Sequence, residues 1–241
     1  MNINKIEGLE LVIFDLDGTL IDSNGVHNMI DIEVVRSLGE EKSDEEIIAE
    51  RNYILKNSKA IDIYLDYCDE LRKKYNTNLS KDEIIGRRRK LLNKYSREIK
   101  FKKDADTTIK YLKNNGLKLA LATVSRKRTL DIYDEENENI KNKCKLQDYF
   151  DLIITKDDVT LKKPNPEVYN KIIESFNVTD LNKCIVVEDS LSGILAAKNA
   201  KLKVIAMYDK YNDKDREKIN ELSDYQVANF QELMELLNSK L

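Results

Sequence analysis

Two aspartates near the amino terminus, Asp15 and Asp17, stand one residue apart directly after the apolar run Leu11–Phe14. Such a run is typical of a fully buried strand. Because side chains alternate along a strand, the two carboxylates leave the same face at its carboxyl end. Acids this close repel each other, and a divalent cation offsets the repulsion. Mg²⁺ prefers one or two protein carboxylates together with a substrate phosphate, so the pair predicts a magnesium site for phosphate chemistry.

Polar residues follow later apolar runs in the same way. One run ends in Thr123, whose hydroxyl is suited to hold a phosphate oxygen, and another ends in Glu188 and is followed by Asp189. Between these runs, Lys163 stands in a turn stiffened by prolines. Ligands of open parallel sheets collect at the carboxyl ends of the strands. We therefore expect these acids, this hydroxyl and this lysine to meet at one edge of a sheet.

Each of these residues also has an ordinary structural explanation. Thr123 is compatible with a simple strand end, Lys163 with the many surface lysines, and Glu188 and Asp189 with the cap of a following helix. Asp17 is compatible with a plain Asp-Gly turn. The convergence of all of them on strand ends favours the functional interpretation.

The elements that must position these residues are short apolar strands separated by helical stretches. After the first run, the remaining predicted strands cover residues 117–123, 152–155, 184–188 and 202–207. Strands that alternate with helices build a parallel sheet by right-handed crossovers, with helices on both faces. The sequence thus predicts an α/β fold, a Rossmann-like doubly wound parallel sheet of about five strands.

The segment after the first strand has a different periodicity. Apolar residues recur there at spacings of three and four, as in an amphipathic helix, and Ser80 with Glu83 forms the pattern of a capping box. No convincing strand interrupts this region. We therefore predict an all-helical cap domain over residues 23–99, inserted into a discontinuous core of residues 1–22 and 100–241.

Composition limits the remaining possibilities. The chain has 241 residues, of which 35% are charged, yet its formal net charge is only −3, which argues against nucleic acid as the main partner. Three scattered cysteines and one histidine form no zinc-binding pattern and fit a reducing compartment. Residues 1–5 show no signal-peptide stretch, and no apolar run is long enough to span a bilayer. We expect a cytoplasmic protein with no membrane partner.

The run Asp15–Leu20 resembles the first motif of the haloacid dehalogenase-like hydrolases. Thr123 is similar to the second-motif Ser/Thr of that family, Lys163 to the third-motif lysine that precedes a proline, and Val187–Ser190 to the fourth motif. The resemblance covers most of the chain, and the helical insertion is similar to the family's first class of cap. Lys162 stands where relatives often have Gly or Ser, which leaves the choice between Lys162 and Lys163 open.

The resemblance implies a Mg²⁺-dependent phosphatase that acts through an aspartyl-phosphate. In that family the first aspartate, here Asp15, is the nucleophile, and the second, Asp17, is the general acid and base. The metal is then expected on Asp15, the backbone carbonyl of Asp17, Asp189 and Glu188. The groups expected to hold or neutralise the phosphate are Thr123, Lys163, Ser125 and the backbone N–H groups around Leu16 and Val124.

The expected substrate is a small phosphate monoester of the sugar phosphate, phosphoglycolate or nucleotide type. The protein is expected to be a monomer. β-Phosphoglucomutase-like relatives share all four motifs and move the phosphoryl group between sugar positions, so an isomerase is the alternative. The first part of their cap usually has a Ser-Arg-containing loop, and the corresponding part of this chain shows none. A phospho-accepting signalling module fits poorly, because its acceptor would lie on a strand in the middle of the chain.

The predicted cap has one concentrated charge feature, the three arginines Arg87–Arg89. Arg88 interrupts an apolar stripe, so it is placed either to recognise a second anionic group of the substrate or to lie in solvent beside acidic neighbours. The solvated interpretation is the more common one for such a run.

Overall fold

A computed structural model describes residues 8–58 and 63–239 of the chain. The chain divides into two compact units, residues 1–23 with 97–241 and residues 24–96. Residues 1–7 and 240–241 of the predicted core and 59–62 of the predicted cap lie outside the described residues. The amino-terminal stretch judged to lack a signal peptide lies outside them as well.

The first unit is built on a six-stranded parallel sheet with strand order β3-β2-β1-β4-β5-β6. The strands are β1 Leu11–Phe14, β2 Lys118–Ala122, β3 Leu152–Ile154, β4 Cys184–Glu188, β5 Lys203–Met207 and β6 Tyr225–Val227. Every residue of β1 and β4 is buried, as expected for central strands covered on both faces. Phe14 at the end of β1 pairs with Leu121 on one side and Val187 on the other. The predicted α/β fold is confirmed.

The prediction of about five strands missed β6. This strand has only three residues, pairs with β5 at the edge of the sheet, and has an exposed glutamine, Gln226, at its centre. Three residues with a polar centre show no apolar run, so periodicity alone does not indicate a strand there.

Helices flank this sheet. Within the described residues they are α5 Ala105–Asn114, α6 Lys127–Glu135, α7 Glu138–Lys141, α8 Leu146–Tyr149, α9 Glu167–Ser175, α10 Leu191–Asn199, α11 Arg216–Leu222 and α12 Phe230–Ser239. On one face of the sheet, Ile13 and Val186 pack in a single core with Tyr169 of α9, Ile194 of α10 and Ile219 of α11. Helix α5 contacts β2 and α12. The crossovers therefore leave the carboxyl ends of the strands at one common edge.

The second unit contains the helices α1 Asn24–Arg36, α2 Asp44–Asn57, α3 Ile63–Lys74 and α4 Lys81–Ser96, and no strand occurs among its described residues. Its apolar core includes Ile30, Val34 and Leu71. The capping box predicted at the start of α4 is confirmed, because Ser80 and Glu83 exchange side chain to backbone hydrogen bonds of 2.7 and 3.2 Å. The helical character predicted for this segment is confirmed.

Across residues 8–58 and 63–239, none of the helices combines the length and the apolar composition required to cross a bilayer.

Candidate active site

The polar residues predicted at the strand ends lie at one edge of the sheet. Asp15 directly follows β1, Thr123 directly follows β2, and Glu188 is the last residue of β4. The parallel register of β1 with its two neighbours brings these three residues side by side. All three are buried. The edge thus presents hydroxyl and carboxylate groups in a region from which most water is excluded.

Three carboxylates gather at this edge. Oxygen atoms of Asp15, Glu188 and Asp189 all lie within 4.8 Å of one another. The three residues expose only 5%, 0% and 1% of their surface. Buried carboxylates at this separation repel strongly, because the low dielectric of the interior screens their charges poorly. A cluster of this kind requires positive charge.

Lys163 supplies part of that positive charge. Its Nζ donates to Asp15 Oδ1 at 2.8 Å, to Glu188 Oε1 at 2.6 Å and to the carbonyl oxygen of Ala122 at 2.9 Å. Lys163 is 8% exposed, whereas the neighbouring Lys162 lies in the exposed class. Of the two lysines between which the sequence did not decide, the structure brings Lys163 to the acids.

The charges of this cluster do not balance. When all three acids are ionised, three carboxylates face one ammonium group, which leaves two negative charges in excess. Burial, with repulsion from Glu188 and Asp189, holds the pKa of Asp15 well above its usual range, although Lys163 opposes the shift. Burial and then Glu188 raise the pKa of Asp189 to about 7. Burial by itself lowers the pKa of Lys163, but Asp15 and Glu188 outweigh burial and hold it well above its usual value, so the lysine stays charged.

Glu188 is fixed by the beginning of α10. Its Oε2 accepts hydrogen bonds from the backbone N–H groups of Asp189 and Ser190 at 3.0 and 3.1 Å. The carboxylate occupies the space beside Gly193, where an added Cβ would lie 1.7 Å from Glu188 Oε1. Gly193 is therefore required so that the helix can pass this close to the carboxylate. The sequence alone does not indicate this role of Gly193, because its spacing from Glu188 does not reveal the contact.

Asp189 is held by two side chains from distant parts of the chain. Thr19 Oγ1 donates to Asp189 Oδ1 at 3.0 Å, and Asn212 Nδ2 donates to Asp189 Oδ2 at 2.6 Å. Asn212 lies in a 3₁₀ segment, Lys210–Asp215, that follows β5. The sequence alone does not indicate a role for Asn212, because an isolated asparagine in a polar loop is part of no recognisable motif. Both contacts fix the direction in which the Asp189 carboxylate points.

The side chain of Asp17 lies outside the cluster of three acids. Its Oδ1 accepts from Ser23 Oγ at 2.7 Å, and its Oδ2 accepts from Ser125 Oγ at 2.7 Å and from Thr123 Oγ1 at 3.3 Å. Gly18, which follows, has φ of 88° and its N–H donates to the carbonyl of Ile21, so the chain turns sharply after Asp17. Hydroxyl groups therefore orient the Asp17 side chain, which is not part of the cluster of buried acids. The metal contact expected of Asp17 involves its backbone carbonyl and stays a prediction.

The other predicted phosphate-binding positions are at the same edge. Leu16 is buried, and its carbonyl accepts from the N–H groups of Leu20 and Ile21 at 2.9 and 3.1 Å. Val124 is 50% exposed. The backbone N–H of Ser125 donates to Thr123 Oγ1 at 2.9 Å. The roles of Leu16, Val124 and Ser125 in binding phosphate stay predictions.

The three clustered acids fit a small, hard divalent cation. All the side-chain donors are carboxylate oxygens, which are the ligands that Mg²⁺ prefers, and no sulfur or imidazole takes part in the described cluster. The two excess negative charges equal the charge of one such ion. Asp15, Glu188 and Asp189 are therefore the side chains that could hold a metal at this edge.

Comparison with known proteins identifies relatives over most of the chain. A family model described as haloacid dehalogenase-like hydrolase matches residues 12–207. A phosphorylated carbohydrates phosphatase of Thermotoga maritima is 28% identical over 192 residues, which cover 80% of this chain and 82% of the relative. Hexitol phosphatase B of Escherichia coli K12 is 26% identical over 200 residues, with coverage of 81% and 82%.

Solved structures show the same architecture. A Thermotoga maritima protein provisionally described as a beta-phosphoglucomutase aligns with a TM-score of 0.75 and 25% identity, covering 97% of this chain and 100% of that one. The match extends through both units, so the helical insertion as well as the sheet has a counterpart in that structure.

Proposed function

The chain belongs to the haloacid dehalogenase-like hydrolase family, and from this premise we propose that it is a Mg²⁺-dependent phosphatase of small phosphate monoesters. The observation that carries the proposal is the buried cluster of Asp15, Glu188 and Asp189, which faces one lysine and is short of positive charge. A hydrolase that holds a phosphate dianion beside a carboxylate nucleophile needs such a cation site, because the two anions otherwise repel.

Asp15 is the proposed nucleophile. One of its carboxylate oxygens attacks the phosphorus, the bond from phosphorus to the leaving oxygen breaks, and an aspartyl-phosphate forms. Lys163, whose Nζ lies 2.8 Å from Asp15 Oδ1, orients the carboxylate and offsets negative charge on the transferring group. Asp15, Glu188, Asp189 and the carbonyl of Asp17 would hold the cation. When bound there, it would neutralise part of the negative charge of the phosphate.

Asp17 is the proposed general acid and base. It donates a proton to the leaving oxygen in the first step, and in the second it takes a proton from the water that attacks the aspartyl-phosphate. Its hydrogen bonds from Ser23 and Ser125, both of 2.7 Å, hold the carboxyl group in a defined position before substrate arrives. Thr123, with the backbone near Leu16 and Val124, is proposed to hold the phosphate oxygens.

The proposed substrates are small phosphorylated molecules such as sugar phosphates, phosphoglycolate or nucleotides. The names of the relatives support this class, since they include phosphatases of phosphorylated carbohydrates and of hexitols. We propose that the chain acts in the cytoplasm, and the buried cysteine thiols Cys68, Cys144 and Cys184 are consistent with a reducing compartment.

A panel of phosphate monoesters tests the proposal. We expect phosphate release from at least one small ester in Mg²⁺ and none in EDTA, because the nucleophile and the substrate repel without the cation. Absence of release from every ester in Mg²⁺ would count against a phosphatase.

A phosphoryl-transferring isomerase of sugar phosphates is the second candidate. The likeness to the provisionally described beta-phosphoglucomutase favours it, at a TM-score of 0.75. The same panel separates the two functions, because an isomerase returns a rearranged sugar phosphate with little free phosphate. Analysis of the products of β-glucose 1-phosphate with Mg²⁺ and a catalytic amount of glucose 1,6-bisphosphate distinguishes them.

A further inference from the structure

A second group of buried charges lies within the helical unit, residues 24–96. Asp31 of α1 is 0% exposed and accepts hydrogen bonds from two arginines. Arg51 Nε of α2 donates to Asp31 Oδ2 at 2.5 Å, and Arg88 Nε of α4 donates to Asp31 Oδ1 at 2.8 Å. The side chains of Arg51 and Arg88 are only 12% and 10% exposed. Arg88 is therefore a buried residue rather than a solvated one.

This group has more positive charge than its acid can balance. Among the residues that the structure describes, two guanidinium groups face one carboxylate, which leaves one positive charge in excess there. An arginine cannot shed this charge by losing a proton, because its pKa is too high. Burial of an uncompensated charge is strongly destabilising. The cluster is thus short of one anion.

Hydrogen-bond donors in the same group also lack acceptors. In the described part of the chain, the buried Arg88 Nη2 and the Tyr67 hydroxyl have no hydrogen-bond partner. Tyr67 is 1% exposed. Its pKa is raised by burial and by Asp31 and lowered by Arg51 and Arg88, so its hydroxyl lies in the field of this cluster. A buried donor without an acceptor is destabilising, so each of these two donors would be stabilised by an acceptor.

Tyr64 of α3 holds the guanidinium groups in place. Its ring centroid lies 3.8 Å from the Arg88 guanidinium carbon, and its hydroxyl accepts from Arg51 Nη2 at 3.0 Å. The planes of the two arginines are therefore set by stacking and by hydrogen bonds before any ligand binds. Guanidinium groups that are fixed in this way favour oxyanions, to which they can donate more than one hydrogen bond.

We propose that Arg88, Arg51 and Tyr67 form a site for a small oxyanion inside the helical unit. The ligand supplies the missing negative charge and accepts hydrogen bonds from Arg88 Nη2 and the Tyr67 hydroxyl. Its chemistry is that of an inorganic oxyanion such as phosphate or of a small carboxylate. This site goes beyond the phosphatase reaction, and binding there does not depend on the acids around Asp15.

Isothermal titration of the full chain in EDTA tests the site, with inorganic phosphate in one arm and acetate in the other. We expect Arg88→Met to weaken binding at least about tenfold, because it leaves Arg51 and Asp31 as a balanced pair. Arg89→Met is the matched control, since Arg89 is an exposed neighbour on the same helix. It should leave the affinity unchanged. The arm that binds more tightly identifies the class of oxyanion.

Tyr67→Phe removes only the hydroxyl and keeps the buried ring. If the site binds an oxyanion, this variant weakens the binding several-fold and leaves the unfolding temperature in anion-free buffer unchanged or higher. If the cluster is only structural, neither anion binds, or Arg88→Met and Tyr67→Phe bind as wild type does. Either result would overturn the proposal. These titrations measure binding without turnover, so their outcome does not depend on the outcome of the phosphatase assay.

Discussion

Asp15 is the residue on which the proposed reaction depends most. Its side chain is 5% exposed, lies 2.8 Å from Lys163 Nζ, and shares the cluster with two further acids. The position gives the carboxylate a fixed orientation and excludes water, and both conditions favour attack on a bound phosphate. The sequence identified Asp15 because two acids after an apolar run are visible without any knowledge of the fold.

Asp15→Asn should lower kcat by about 10⁴ or more, since the amide cannot act as the nucleophile. The fold should persist, because the variant removes one negative charge from a cluster that has too many. Phosphate release and the unfolding temperature in EDTA are the measurements. Asp22→Asn, an exposed position seven residues along the chain, is the matched control and should keep its activity. Retention of substantial turnover by Asp15→Asn would show that another group is the nucleophile.

Gly193 provides a second test at single-residue scale. In Gly193→Ala the new Cβ meets the Glu188 carboxylate at 1.7 Å, so Glu188 must leave its contacts with Lys163 and the backbone. We expect a loss of about 1–3 kcal/mol in the free energy of unfolding, measured in urea, together with weaker Mg²⁺ binding.

Gly86→Ala is the control for that substitution, because no atom lies within 4 Å of the added Cβ in helix α4. It should be neutral or stabilise by up to about 1 kcal/mol, as alanine favours helix interiors. Equal stabilities for the two variants would mean that Glu188 does not occupy the position described.

Among the elements, the 3₁₀ segment Lys210–Asp215 has a role that its sequence does not reveal. It carries Asn212 to Asp189 Oδ2, at 2.6 Å, from the loop after β5. Groups that orient metal ligands affect metal affinity without contacting the metal.

Asn212→Ala should weaken Mg²⁺ binding by about tenfold or more in a calorimetric titration, since Asp189 Oδ2 loses the hydrogen bond from Asn212. Asn220→Ala, at an exposed position of α11, is the matched control and should bind Mg²⁺ as wild type does. Unchanged affinity in Asn212→Ala would remove the positioning role of the segment.

The sequence predicted those elements that are defined by local periodicity. Strands β1 to β5 were identified from apolar runs, and the start of α4 from Ser80 and Glu83. Strand β6 was missed because three residues with a polar centre have no such signal. Contacts between distant residues, such as Asn212 with Asp189 or Arg88 with Asp31, could not be predicted, because they depend on how helices and loops pack.

At the scale of the whole molecule, the excess negative charge links stability to pH. In the folded, metal-free chain the pKa of Asp189 is raised to about 7 from a reference value of 3.8. Between these values the folded state binds more protons than the unfolded chain, so the free energy of unfolding falls as pH rises. Above about pH 7 Asp189 is ionised in the folded state, and the free energy of unfolding is then lowered by the full cost of this buried charge.

We therefore expect the unfolding temperature in EDTA to decrease from pH 5 to pH 7.5, and saturating Mg²⁺ to reduce this decrease, because the ion stabilises the ionised carboxylates. Scanning fluorimetry at constant ionic strength is the measurement, and Asp189→Asn, which cannot titrate, should show a shallower pH dependence in EDTA. A wild-type profile that rises with pH and does not respond to Mg²⁺ would contradict the excess charge.

The central claim is that Asp15 carries the phosphoryl group during turnover, and chemical trapping tests it most directly. Borohydride reduces an aspartyl-phosphate to homoserine but leaves a free carboxylate unchanged. When the enzyme is quenched with borohydride during turnover of a phosphate ester in Mg²⁺, peptide mass spectrometry should find homoserine at position 15. Release of phosphate while Asp15 and every other aspartate remain unmodified would contradict the account.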